Sequence, residues 1–450
     1  MEYSKKLPAK GLGHYEIQDM LIAFEKESHF MAFNKNFFDE GPHLTSSKAL
    51  PWGDEIRERS VHAWLRFMHG EIWHTGVGAR KMEREVISMM GNMFHNPEAV
   101  GFMTSGGSES NTCALIAAKG KAFVKKFPEL IPGNLDSSIA MMFKIQEFES
   151  QPHSVVLPYH SHYSLFKACA LLGLQPVPVF PIPGTYCSIN PDDVKKAVRE
   201  DTIAIIGTAG TWPFGTIDPI EEMAKIAMER DVYFHVDSCF GGYIIPFLEA
   251  ADYYKTPLKP WDFRVPGVCS ISADLHKNGM VPPGASSLFF RNKLYRDYAR
   301  LMAPPHGNLT GTRGTGPIAA AWTMFMSLGL EGYKAVAMHS KMLQDDCIKK
   351  LTSIPEIKVI PGSVMNLNTI YSDTLDLRPV FKALVADEWN ITSNDDVKPI
   401  GLCIVCMPQN DGMVDPFVDA FAKAVKDHAV PIGTLGDDYS VGGAYGLDID

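Results

Sequence analysis

The chain has 450 residues, 46% of them hydrophobic and 21% charged, which places it with ordinary globular proteins and excludes a disordered chain. That length provides for two or three packed units around more than one small core. The formal charge is −10, and no long Lys/Arg cluster interrupts it, so nucleic acid and an anionic membrane surface are excluded as expected partners.

The first residues, Met1 to Leu7, lead into polar sequence and lack the apolar stretch of a secretion signal. Residues 1–55 combine a helical pattern at 16–30 with Pro/Gly-rich connectors around Gly41-Pro42 and Pro51-Trp52-Gly53. Their apolar content is too thin for a separate core, so they read as an arm. Helical patterns follow at 55–69 and 79–94, the second with Met82, Val86, Met89 and Met90 on one face.

Strands and helices then alternate. Strands are predicted at 99–103, 154–158, 176–180, 202–207, 232–236 and 268–272, and helices at 108–127, 164–172 and 220–229. This spacing predicts βαβ units: an α/β fold whose large domain, residues 56–305, is a mainly parallel sheet with helices on both faces. Ligands on such sheets sit at the carboxyl ends of the strands. Past residue 305 the pattern changes to a loop at 302–307, a long Ala/Met/Trp-rich helix at 317–330, helices at 341–352 and 416–429, and strands at 358–361 and 401–407. Residues 306–450 therefore read as a smaller α/β domain with a linking helix. No window approaches the roughly 18 uninterrupted apolar residues of a membrane span. Eight cysteines are scattered without disulfide-like spacing, which favours a reducing, cytoplasmic setting. Cys403 and Cys406 have CxxC spacing but fall inside an apolar strand, where i and i+3 face opposite ways, so they read as core.

Five segments carry chemistry. In Ser272-Ala273-Asp274-Leu275-His276-Lys277-Asn278-Gly279 a lysine follows a histidine where an apolar strand gives way to a turn. Desolvation disfavours the charged form of a buried lysine and frees its amine to attack an aldehyde. A surface lysine in a turn is the plain alternative. Asp237 ends the strand Phe234-His235-Val236-Asp237, where a carboxylate is costly unless paired. A pyridinium N–H is a suitable partner, and a salt bridge or a helix cap is the other reading. Together, a Schiff-base lysine and a strand-end aspartate are what pyridoxal 5'-phosphate requires of a protein. Thr104-Ser105-Gly106-Gly107-Ser108 opens a helix after a strand, so Gly106, Gly107 and Ser108 could cradle a phosphate, although many strand-to-helix turns look like this. His162, between a strand and a helix, could stack on a bound ring and handle a proton. His160 and His162 also resemble a metal pair, but no nearby Cys/Asp/Glu set completes one, and no metal is expected. Thr208 and Ala209, in Gly207-Thr208-Ala209-Gly210-Thr211, could pack on the other ring face or simply form a tight turn.

With these residues in view, the chain resembles the group II pyridoxal phosphate-dependent decarboxylases and their relative sphingosine-1-phosphate lyase, over roughly residues 70–335. The matching motifs, in order, are residues 104–110, 162–164, 208–211, 235–242 and 272–279. The resemblance implies a fold-type I enzyme with a Schiff base at Lys277, Asp237 on the pyridine nitrogen and His162 stacked on the ring. It also implies a phosphate held by Gly107, Ser108 and His276, and a homodimer with active sites at its interface, which the N-terminal arm would suit.

Within that resemblance two branches compete. Residues 261–268 look closest to the lyases, whereas residues 162–164, 208–211 and 309–313 look like amino-acid decarboxylases. The lyase pattern has a lysine in a Pro-Lys-Gly turn and a tyrosine after the Schiff-base lysine; this chain has Pro283 and Asn278 there. The expected function is therefore an amino-acid α-decarboxylase acting on a small amino-acid-like substrate. The alternatives are retro-aldol cleavage of a phosphorylated amino alcohol, transamination, and a non-catalytic scaffold of the same fold. Arg313 is a candidate for gripping a substrate carboxylate, with a structural salt bridge as the equal alternative. His74, in the Trp73-His74-Thr75-Gly76 loop, is a further pocket candidate.

Overall fold

The alternating apolar runs assemble into one seven-stranded sheet in the computed structural model, which describes residues 15, 17–21, 44–73, 76–130, 139–389, 391–394 and 399–436. Helices α1 (Gly53–Phe67) and α2 (Val77–Met93) precede strand β1 (Val100–Thr104). There follow α3 (Gly107–Lys126), α4 (Ile139–Glu149), β2 (Ser154–Pro158), α5 (Tyr163–Leu171), β3 (Gln175–Val179), α6 (Pro191–Ala197) and β4 (Thr202–Thr208). The unit is completed by α7 (Ile220–Glu229), β5 (Tyr233–Asp237), α8 (Ile245–Ala250), β6 (Ser270–Ala273), β7 (Ser286–Phe290) and α9 (Lys293–Met302). The strand order is β1-β7-β6-β5-β4-β2-β3.

Neighbours from β3 through β6 pair parallel, while β7 runs antiparallel to both β6 and β1. Two reversals restore direction, so β1 points the same way as the parallel strands. The ends of β1, β2, β4, β5 and β6 thus reach one edge of the sheet, and the segments that carry chemistry begin there. Strands β2, β4, β5, β6 and β7 are buried along their whole length, as expected for a sheet covered on both faces. One face packs on Cys113 to Ala118 of α3, Leu165 and Ala168 of α5 and Ala299 of α9; the other packs on α2, α7 and α8. Helices α3 and α9 approach so closely that a Cβ on Gly120 would stand 2.1 Å from the Tyr298 carbonyl oxygen. Only glycine fits that crossing.

Helix α10 (Gly316–Leu351) leads to a second, antiparallel sheet and is broken at Gly329 (φ 56°, ψ −170°), near the end of the helix expected at 317–330; its second segment runs from there through the helix expected at 341–352. Strands β8 (Lys358–Val359), β9 (Leu367–Tyr371), β11 (Thr392–Asn394) and β12 (Gly401–Val405) pair in the order β11-β12-β9-β8. Helices α11 (Arg378–Ala386) and α12 (Val414–His428) accompany it, and β10 (Leu375–Asp376) pairs separately with β13 (Val430–Pro431). Strand β7 and helix α9 were not anticipated from sequence. The arm expected over residues 1–55 falls largely outside the described residues, as does His74. Cys403 and Cys406 are buried and no disulfide joins them, consistent with a core reading.

Candidate active site

Where β1, β2, β4, β5 and β6 end, the segments that follow them enclose a cavity of about 330 Å³. Lys277, Asp237, His162, His276, Thr208 and the Gly106-Gly107-Ser108 turn all line it, as do Glu109, Tyr163, Trp212, Cys239, Phe240 and Asp274. Residues from five strand ends and more than 170 positions of sequence therefore converge on one space. Ala209 lies behind the wall instead: its N–H donates to the Asp237 carbonyl (2.9 Å), and its own carbonyl accepts from Ser238 Oγ (2.8 Å).

Lys277 is largely buried, with Nζ 3.3 Å from Asp274 Oδ2 and 5.2 Å from the centre of the Phe240 ring. Asp274 takes a role that the sequence reading does not assign it; an acid three residues before the lysine is the available signal. It is buried, accepts from Ser286 Oγ at 2.5 Å, and stands 3.6 Å from His276 Nε2. A Cβ on Gly107 would meet Cys239 Sγ at 2.6 Å and Asp274 Oδ2 at 2.9 Å. The glycine turn is thus pressed directly against the lysine-bearing loop.

Asp237 lies at the floor of the cavity. Its Oδ1 accepts from the Cys239 N–H (3.0 Å) and Ser272 Oγ (3.2 Å), and its Oδ2 from Asn111 Nδ2 (2.9 Å). Burial is the largest single influence and works to raise this carboxyl, but the hydrogen bonds from Cys239 and the nearby His162 and His235 together outweigh it and hold the group below the usual carboxylate range. Asn111, fully buried on α3, was not singled out from sequence, because a lone asparagine on a helix carries no signal of its partners. Besides Asp237, its Nδ2 donates to Ser164 Oγ (3.1 Å). Its Oδ1 accepts from Ser272 Oγ (2.9 Å) and His235 Nε2 (3.1 Å), so all of its hydrogen-bonding capacity is used.

His162 caps the N-terminus of α5: Nδ1 accepts the Ser164 N–H (3.3 Å) and pairs with Ser164 Oγ (2.8 Å). The neutral ring therefore carries its proton on Nε2. Burial, helped by the Lys277 charge, brings His162 down from its usual 6.5 to about 4. Burial likewise brings His235 to about 4 and lowers His276. Glu109, in the first turn of α3, accepts from the Ser105 N–H and Oγ (both 2.8 Å) and from Thr310 Oγ1 (2.9 Å). Arg313 is not among the residues lining this cavity. It pairs with Glu83 and also donates to the Met103 carbonyl, which realises the salt-bridge alternative.

The arrangement fits pyridoxal phosphate in three respects. A largely buried amine faces a buried, deprotonated carboxylate across the cavity, a glycine turn opens a 20-residue helix toward it, and two buried polar atoms on its wall lack protein partners. These are His276 Nδ1 and Thr208 Oγ1, neither of which has a hydrogen-bond partner among the described residues.

Fold and site together define a fold-type I, pyridoxal phosphate-dependent lyase. The chain belongs to the pyridoxal-dependent decarboxylase family, whose conserved domain matches residues 78–365. It is 32% identical to an L-aspartate decarboxylase of Thermococcus kodakarensis over 366 residues, 79% of this chain and 85% of that protein. It is also 30% identical to sphingosine-1-phosphate lyase 1 of Rattus norvegicus, over 94% of this chain and 70% of that protein. Among solved structures, a sphingosine-1-phosphate lyase from Burkholderia pseudomallei superposes with a TM-score of 0.79 at 26% identity, covering 95% of this chain and 93% of that one. A Lactobacillus brevis glutamate decarboxylase, 20% identical, shares the fold with a TM-score of 0.76, covering 95% and 96%.

Proposed function

We propose that the chain is an amino-acid α-decarboxylase in which Lys277 holds the cofactor through its amine. In this reading Asp237 faces the ring nitrogen, His162 lies against the ring, and Gly106, Gly107, Ser108, Thr208 and His276 surround the phosphate. When bound, pyridoxal phosphate supplies an electron-poor ring that takes up the electron pair released at the substrate's α-carbon. Asp237, kept deprotonated, holds a proton on the ring nitrogen. His162, neutral above about pH 4, presents an uncharged face and an Nε2–H that can orient a substrate carboxylate without neutralising it. Trp212, Phe240 and Tyr163 narrow the access of water.

One observation favours decarboxylation over cleavage of a phosphorylated substrate. Among the described residues lining the cavity, Lys277 is the only lysine or arginine, and three carboxylates (Glu109, Asp237 and Asp274) share the space. A substrate phosphate would keep its charge throughout the reaction and would need a second cation. A carboxylate leaving as neutral CO₂ loses its charge, so a site without that cation favours the reaction. Asn278 supports the same reading: it is buried, its Nδ2 donates to the Phe240 carbonyl (2.9 Å), and its Oδ1 accepts from Asn366 (2.9 Å). A screen of amino acids for CO₂ release, run beside aldehyde release from a phosphorylated sphingoid base, tests the proposal. CO₂ from an amino acid is expected; aldehyde without CO₂ would overturn it.

Two further parts of the reading concern the setting. A homodimer is supported by the exposed apolar residues Val61 and Leu65 of α1, Met68 after it, and Val77 of α2, which suit a second copy. A reducing, cytoplasmic location is supported by eight cysteines that form no disulfide, seven of them buried. Among the described residues no helix is long and apolar enough to cross a membrane.

A further inference from the structure

A second cavity, of about 250 Å³, lies between α2, the edge strand β1, α9 and the loop before α10. Five guanidiniums line it: Arg80 and Arg84 from α2, Arg296 and Arg300 from α9, and Arg313. Glu83 is the only carboxylate among the described residues of its wall, and it is taken up by Arg313 and by the Met103 N–H. Behind the wall, buried Asp297 is shared by Lys293, Arg296 and Arg300. Among the described residues Arg80 has main-chain acceptors, the Ile72 and Trp73 carbonyls (2.5 and 2.7 Å), and the Arg84 Nε donates to the Arg80 carbonyl (3.2 Å). So much like charge gathered around one concavity is unfavourable unless an anion joins it.

Unpartnered atoms give independent support. The Arg313 side chain is only 10% exposed, yet among the described residues its Nε has no partner; the same holds for the buried Arg296 Nε and for Asn308 Oδ1, both on residues of the same wall. Arg296 and Arg313 need an acceptor and Asn308 needs a donor. A hydrogen phosphate offers both, with charged oxygens for guanidinium forks and an O–H for the amide oxygen. Burial and the charges of Arg300 and Arg313 lower His306, which also lines the cavity, so it stays neutral and adds no further cation near pH 7.

We propose that this cavity is a second ligand site, separate from the cofactor cavity, which takes a small phosphate-type oxyanion. It connects to the first site through a short path. Gly311, whose carbonyl accepts from Trp73 Nε1 (2.8 Å) and Asn308 Nδ2 (3.2 Å), adjoins Thr310, whose Oγ1 bonds Glu109 on the wall of the cofactor cavity. The inference is independent of which reaction the cofactor site performs.

Calorimetric titration of the cofactor-saturated full-length enzyme with inorganic phosphate, at ionic strength held constant with chloride, tests it. Saturation with cofactor fills the glycine cradle, so the heat reports on another site. One saturable site per chain is expected, weakened about tenfold or more in an Arg84→Gln/Arg296→Gln variant whose visible cofactor band is unchanged. Arg84→Gln alone, at an exposed position, provides the same comparison if the double variant does not fold. Absence of saturable heat, or equal binding by the variants, would overturn the proposal. So would subunit dissociation of the variant without phosphate binding by the wild type, since the guanidiniums would then face carboxylates of a second copy.

Discussion

Asn111 Nδ2 stands 2.9 Å from Asp237 Oδ2, and the same amide bridges Ser164, Ser272 and His235. The carboxylate that faces the cavity is thus oriented from behind by a residue that touches neither the cavity nor solvent. Replacing Asn111 by alanine removes a partner from a buried carboxylate oxygen and from three other polar groups, at about 1–3 kcal/mol for each group left unsatisfied. Asn111→Ala is therefore expected to lower both the urea midpoint and kcat, the latter by roughly tenfold or more because the Asp237 orientation is lost. Unchanged kcat in a folded variant would show that Asp237 needs no such support.

Gly107 gives a more local prediction. A methyl group there would collide with Cys239 and Asp274. Gly107→Ala must push the turn away from the lysine loop, and cofactor affinity should fall by about tenfold or more while the fold survives. Absorbance titration of the cofactor-free protein measures this; wild-type affinity would contradict the cradle.

The buried histidines predict how stability responds to acid. His162 and His235 both sit near 4 in the folded protein against an ordinary 6.5. Between those values the unfolded chain binds protons that the folded one does not, so stability is fully present above pH 6.5 and is lost as pH falls toward 4. Each histidine contributes a slope of up to about 1.4 kcal/mol per pH unit. Denaturation of the cofactor-free protein across this range should show the slope reduced in His235→Gln; an identical slope would assign the loss to other groups.

Arg313 separates a structural role from a substrate role. Its buried pair with Glu83 ties the loop before α10 to α2, and breaking one partner of such a pair costs about 3–5 kcal/mol. Arg313→Ala should therefore be strongly destabilised. A variant of normal stability whose KM alone rises would return Arg313 to the substrate.

Much of this was legible in the sequence, for identifiable reasons. Lys277, Asp237, His162 and the glycine turn stand where periodic apolar runs stop, and such junctions on a parallel sheet point to one edge. The parts that were not legible depend on distant partners. Asn111 matters because Asp237, Ser164 and Ser272 converge on it, and Arg313 could be read as a carboxylate grip before its partner, Glu83, was known. Strand β7 escaped because it follows a Pro/Gly turn with only five residues and no alternation: all of Ser286–Phe290 is buried, so period two is erased. Two helical segments were legible in this stretch and do meet at a kink, but at Gly329, inside the run read as helical over 317–330, rather than between 330 and 341.

The central claim is that Lys277 is the residue that holds the cofactor. Borohydride reduction of the cofactor-loaded protein, followed by peptide mass mapping, tests it directly. The account predicts the added pyridoxyl mass on the peptide containing Lys277, with no visible band and no label in Lys277→Ala. Label on another lysine, or a visible band that survives in Lys277→Ala, would contradict it.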